Sequence, residues 1–222
     1  MKIAIVGPGK LGSALGRIWA RKGHEVVVTF SRDPAKLEAV AASIGARAAG
    51  VQEAVAASDV IVLTTKWAAV ADAVAQADTS AQADTSAQAD TAWAGKVVLD
   101  CTNTMSPRKT AEGQPELRSC AEVLATMVPG AHVIKTFNQA FEQLLNAESR
   151  LFGGERPTMF YCGDDEAAKK VAAQLVEETD FEAVDAGPLE NARLIESYAI
   201  LVIRLGHTLG LGTNIAMKLM RR

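Results

Sequence analysis

Hydrophobic positions come in two alternating rhythms along most of this chain. Short apolar runs, such as Lys2-Ile3-Ala4-Ile5-Val6 and Val26-Val27-Val28, have the length and branching of buried strands. Longer stretches in which apolar residues recur every three or four positions separate them and read as helices. The pattern predicts a strand running into a helix over Leu11 to Lys22, a second strand from Glu25, and a helix over Pro34 to Ile44 closed by Gly45. A short strand at Ala46–Ala48, a helix around Val51–Ala57, a strand over Asp59–Thr64 and a helix from Trp67 to Ala75 follow. Next come a fifth strand at Lys96–Asp100, a polar loop from Cys101 to Gln114, a helix around Glu116–Met127 and a sixth strand at His132–Phe137. The later half adds strands at Thr158–Cys162 and Glu182–Asp185, a helix at Glu166–Glu178, and a long helix from about Glu190.

Alternation of this kind implies an α/β fold: a doubly wound, Rossmann-type parallel sheet with helices on both faces and a small helical C-terminal part. The stretch Asn146–Pro157 reads as the boundary, giving units 1–155 and 156–222. One segment departs from the rhythm. Residues 75–91 repeat AQADTS with a period of six, which advances a helix by about 600° and forms no apolar stripe. It reads as a low-complexity insertion tolerated at the surface. The C-terminal helix is the opposite case. Leu194, Tyr198, Leu201, Val202, Leu205 and Leu209 form a stripe that Ile195, Ala199, Ile200 and Ile203 widen past half the circumference. A helix so apolar is expected to be buried, and in a chain of 222 residues this predicts a homodimer.

The first turn carries the candidate chemistry. Gly7-Pro8-Gly9-Lys10-Leu11-Gly12 is G-x-G-x-x-G placed between a strand and a helix, the context in which it binds a dinucleotide. Gly7 makes the tight turn, Gly9 admits a pyrophosphate to the backbone, and Gly12 lets helix and strand pack closely. The second strand ends in Ser31 and Arg32, with Lys36 one turn later, where an NAD site usually carries an acid. A hydroxyl and two cations suit the 2′-phosphate of NADP(H). Asp33 precedes Pro34 and reads as a helix cap rather than a ribose ligand. On the nicotinamide side lie Thr64, Thr65 and Trp67 after the fourth strand, Asn103 after the fifth, and Phe137, Asn138 and Gln139 after the sixth. Thr65 and Asn103 offer hydrogen bonds to ribose and carboxamide, and Trp67 a wall. No acid–base residue is evident there, which fits hydride transfer by positioning to a flavin-like ring better than ketone reduction.

Composition narrows the setting. A net charge of −3 gives no basic footprint for nucleic acid. No apolar run reaches membrane-spanning length. Three scattered histidines and three cysteines without C-x-x-C predict no metal site and reduced thiols. With a strand at the N-terminus and no signal peptide expected, the reading is cytoplasmic. In Cys162-Gly163-Asp164-Asp165 the acids read as helix caps rather than metal ligands.

The Gly-rich turn, Ser31-Arg32 with Lys36, Leu63-Thr64-Thr65-Lys66-Trp67 and a C-terminal block resemble the NADPH-dependent reductases of the deazaflavin coenzyme F420. That block is Cys162-Gly163-Asp164-Asp165 with Asp185-Ala186-Gly187-Pro188-Leu189-Glu190-Asn191-Ala192-Arg193-Leu194-Ile195-Glu196. The resemblance implies NADP contacts at Gly7, Gly9, Lys10, Leu11, Gly12, Ser31, Arg32 and Lys36 and near Thr65, Trp67 and Asn103. It also implies F420 as acceptor and a homodimer. F420-using members carry a histidine after the sixth strand, where this chain has Asn138. Around that position the chain is similar to the NADPH-binding domains of six-transmembrane metalloreductases, which pass hydride to a flavin. Reduction of a flavin or ferric iron, or nucleotide sensing without turnover, are the other readings.

Overall fold

In the computed structural model, residues 1–78, 91–104, 109, 113 and 116–222 are described. Most of the six-residue repeat and of the polar loop after the fifth strand lies outside them. Six strands form one parallel sheet: β1 (Lys2–Val6), β2 (Glu25–Thr29), β3 (Arg47–Ala48), β4 (Val60–Leu63), β5 (Val97–Asp100) and β6 (His132–Lys135). Their order is β3-β2-β1-β4-β5-β6, the doubly wound arrangement whose direction reverses between β1 and β4.

Alternation along the strands sorts side chains onto two faces. Ile3, Ile5 and Val28 point into one core with Leu15 and Trp19 of α1 (Lys10–Arg21) and Ile44 of α2 (Pro34–Ile44). Ala4, Val6 and Leu63 point into the other, against α3 (Val51–Ala57), α4 (Val70–Ala77) and α5 (Cys120–Met127). Trp93, fully buried, anchors the chain as it returns to β5.

After α6 (Glu142–Leu145), β7 (Thr158–Tyr161) and β8 (Glu182–Asp185) pair in parallel, with α7 (Glu166–Glu177) between them. An antiparallel bridge between Lys135 and Cys162, with N–H···O distances of 2.9 and 3.1 Å, ties this pair to β6. The Gln139 side-chain amide extends the seam: its Nε2 donates to Phe160 O at 2.7 Å and its Oε1 accepts from Phe160 N at 3.2 Å. The first core runs on through Met159, Leu175 and Phe181, and Trp19 Nε1 donates to Leu175 O at 3.1 Å.

Three boundaries differ from expectation, each for a local reason. The helix expected around Glu116 begins at Cys120, because Ser119 and Glu122 form a capping box that fixes the first turn. The sixth strand stops at Lys135, and Phe137 turns the chain with φ of 59°. The last helix opens with a 3₁₀ turn (Leu189–Asn191), continues as α8 (Ala192–Ile203) and widens into a π turn (Arg204–Thr208) around Gly206.

Along α8 the apolar residues divide by burial within this chain. Ile195, Ala199 and Val202 face the core, while Leu194 is 69% exposed and Leu201 51%. The wide stripe is two faces, one buried in this chain and one facing outward. Among the described residues no helix is long and apolar enough to cross a membrane.

Candidate functional site

The Gly-rich turn divides its glycines between two tasks. Gly7 adopts φ of 87°, and a Cβ there would stand 2.8 Å from the Thr65 Cβ. At Gly12 a Cβ would lie 2.5 Å from Thr64 Oγ1 and 2.9 Å from Ile5 Cγ2, so only glycine lets α1 approach the sheet. Gly9 differs: its nearest neighbour on that side is the Gly7 carbonyl at 4.0 Å. That open space, beside a helix start with no side-chain cap and no acid in its first turn, fits an approaching pyrophosphate. Thr64 Oγ1 donates to Gly7 O at 2.8 Å and so holds the turn. Ser13 Oγ donates to Pro8 O at 3.1 Å. Leu11 is half-buried against the first core. Lys10 reaches out to Glu142 at 3.3 Å.

At the β2 exit Phe30 turns left-handed, with φ of 65°, and throws Ser31 and Arg32 outward. Asp33 Oδ1 accepts from Lys36 N at 3.1 Å, so the acid caps α2 as expected. Ser31, Arg32 and Lys36 are exposed, and among the described residues neither cation forms an ion pair. Two exposed cations, with the adjacent Asp33 committed to a helix cap, suit a phosphate far better than a neutral ribose.

The exits of β4, β5 and β6 are built more tightly. Thr65 and Trp67 are half-buried, and Trp67 opens a 3₁₀ turn (Trp67–Ala69) against the second core. Asn103 Nδ2 donates to Asn138 O at 3.0 Å, and Asn138 Nδ2 donates to Asn103 Oδ1 at 3.2 Å. These reciprocal amides bridge the β5 and β6 exits. Of the residues expected to shape an acceptor pocket, Phe137 lies wholly in the core, edge-on to Trp19 at 5.7 Å. Gln139 is committed to Phe160, and Asn138 is buried beside Asn103. Among the described residues five buried side-chain polar atoms lack a partner, and three belong to strand exits: Thr29 Oγ1, Thr102 Oγ1 and Asn138 Oδ1.

An ionic cluster beneath these exits has no counterpart in the sequence reading. Lys135, fully buried on β6, meets Asp100 Oδ2 at 2.9 Å and Glu196 Oε1 at 3.0 Å. It also donates to Thr102 O at 2.5 Å. Burial works against its charge, but the two carboxylates outweigh burial and hold its pKa above the ordinary lysine range. Glu196 accepts from Cys120 N at 3.1 Å and Ala121 N at 3.4 Å, so the α5 N-terminus offsets the surplus negative charge. Charged residues at matching places on two apolar strands, V-V-L-D and H-V-I-K, were the available signal.

The cysteines are not poised for chemistry. All three are buried, and burial pushes the Cys162 thiol up to about 12 and that of Cys101 higher still. Asp165 caps α7, accepting from Ala168 N at 2.7 Å, whereas Asp164 accepts from Leu189 N at 2.8 Å and holds the turn into α8.

Residues 2–104 match the family described as NADP oxidoreductase, coenzyme F420-dependent. The whole chain superposes on a candidate F420-dependent NADP reductase from Arthrobacter sp. FB24, covering 100% of both chains at TM-score 0.79 and 27% identity. It is 28% identical over 205 residues to metalloreductase STEAP3 of Rattus norvegicus, covering 91% of this chain but 37% of that protein. A reductive aminase from Aspergillus terreus, solved with NADPH, shares the fold at TM-score 0.63 and 23% identity, over 94% of this chain and 63% of its own. By these likenesses the chain is similar, over residues 2–104 and in its whole fold, to NADP-dependent oxidoreductases that depend on coenzyme F420.

Proposed function

We propose that the chain transfers hydride between NADP(H) and a deazaflavin of the coenzyme F420 type, bound beyond the exits of β5 and β6. The observation that carries this reading is the paired match to F420-dependent reductases, over residues 2–104 and over the whole fold. The site's chemistry agrees with it. NADPH, when bound, supplies a hydride from its nicotinamide ring, and a conjugated acceptor ring takes it up with no side-chain acid required. The chain's residues hold and orient. Gly9 and the α1 N-terminus take the pyrophosphate, Ser31, Arg32 and Lys36 the 2′-phosphate, and Thr65, Trp67 and Asn103 the nicotinamide half. Asn138, where F420-using members carry a histidine, favours a second reading: reduction of a flavin or ferric iron, as the likeness to a metalloreductase suggests.

The test is anaerobic mixing of NADPH with F420, FMN, FAD and a ferric chelate in parallel. Rapid loss of deazaflavin absorbance alone supports the first reading. Reduction of the flavins or iron with F420 untouched overturns it in favour of the second.

The exposed face of α8 supports a homodimer through a second copy of this helix. Leu201→Glu is expected to halve the sedimenting mass; an unchanged mass of wild type and variant argues against that interface.

A further inference from the structure

We propose that the buried Asp100–Lys135–Glu196 cluster positions Asn103 for the nicotinamide, making Lys135 and Asp100 positioning residues for hydride transfer. The proposal rests on the reading that Asn103 meets the nicotinamide half of NADP(H).

The geometry is a clamp on the backbone of one residue. Asp100 Oδ1 accepts from Thr102 N at 2.9 Å, while its Oδ2 meets Lys135 Nζ at 2.9 Å. Lys135 Nζ in turn donates to Thr102 O at 2.5 Å. Both backbone polar groups of Thr102 are therefore fixed by one buried ion pair, immediately before Asn103. The Asn103 amide is then pinned from the other side by Asn138. Glu196 closes the arrangement from α8 and binds two N–H groups at the start of α5.

Stability alone is a weak reason to bury three charges. Desolvation cancels most of the attraction, and apolar side chains of similar size often serve as well. A clamp has a different use. A displacement of about 1 Å in a group that orients a reacting ring costs about a hundredfold in rate. Lys135 and Asp100 sit opposite one another in the β5–β6 register, on the rigid part of the sheet, which is where such a support is most accurate.

The test compares the wild type with Asp100→Leu/Lys135→Met, which replaces the pair by apolar groups, and with Asp100→Asn/Lys135→Met, which keeps an acceptor for the Thr102 N–H. Melting temperature, NADPH dissociation constant, kcat and the fluorescence anisotropy of bound NADPH are read for each. In the Leu/Met variant kcat is expected to fall ten- to a hundredfold and nicotinamide anisotropy to drop, with the NADPH dissociation constant within about threefold of wild type. The Asn/Met variant recovers part of the loss. A folded Leu/Met variant with kcat and anisotropy unchanged overturns the proposal. If Leu/Met does not fold, the Asn/Met variant decides: anisotropy equal to wild type overturns the clamp, and reduced anisotropy upholds it. Should the wild type reduce none of the acceptors tried, the reading of the acceptor fails by itself, and anisotropy still judges the clamp.

Discussion

The exit of β2 and the exits of β5 and β6 are built on opposite plans. At the β2 exit, Ser31, Arg32 and Lys36 stand in solvent, and the one nearby acid is turned into a helix cap. At the β5 and β6 exits, Asn103 pairs with Asn138 and Lys135 with Thr102. The first keeps its charges exposed, which costs the fold little because water solvates them. The second fixes positions through buried polar groups and their partners. Charge suffices to prefer one phosphate over none, whereas hydride transfer demands a fixed distance and angle. On the proposed function, the chain leaves its specificity end loose and its reaction end rigid.

The comparison breaks most severely at the turn shared by both ends. Gly12→Val places branched carbons where Thr64 Oγ1 and Ile5 Cγ2 already stand, and is expected to abolish NADPH binding and lower the melting temperature. Isothermal titration and thermal unfolding check this; retained binding would mean that α1 can back away from the sheet. Next in size is Arg32→Ala. Loss of a charge-assisted hydrogen bond, about 1.5–3 kcal/mol, should weaken NADPH roughly 10- to 100-fold while NADH changes little. Equal losses for both nucleotides would remove the 2′-phosphate from this end.

Asp33→Ala sharpens the contrast by removing a cap without removing a ligand. It is expected to cost about 1 kcal/mol of stability, while the preference for NADPH over NADH persists. A reversal of that preference would make Asp33 a ribose ligand. The smallest effect concerns Glu122, at the start of α5. Burial alone would raise its carboxyl, but Arg193 and Ser119 hold it below the ordinary value. A depressed carboxyl contributes stability above its unfolded pKa, 4.5, and loses it as pH falls through the folded value. Glu122→Gln should therefore melt below wild type at pH 7 and converge with it in acid; a gap that persists at low pH would contradict the assignment.

What the sequence made legible follows from range. The elements from Lys2 to Ala57 and the Asp33 cap are written in local signals: apolar runs, Asp-Pro at a helix start and Gly45 at its end. The Gly-rich turn was equally local, and even the division of labour among Gly7, Gly9 and Gly12 follows from its spacing. The nicotinamide end was read only in part. Asn103 and Asn138 follow separate strands in the sequence, and their pairing is set by strand order rather than by sequence neighbours. Asp100, Lys135 and Glu196 come from two strands and a helix far apart in the chain, and no periodicity brings three such charges together. Phe137 was read as pocket-lining because it follows a strand. Its left-handed backbone instead sends the ring inward to Trp19. On α8 periodicity located both apolar faces but could not tell the face buried in this chain from the one left outside.

The measurement that tests the account most directly is an isotope transfer. NADPH carrying deuterium at the transferable position of nicotinamide C4 is mixed anaerobically with the protein and oxidised F420, and the reduced deazaflavin is weighed by mass spectrometry. Direct hydride transfer across a rigid site predicts one deuterium retained on the deazaflavin ring carbon. F420 recovered oxidised, while NADPH binds and passes its electrons to a flavin or ferric iron, would contradict the account.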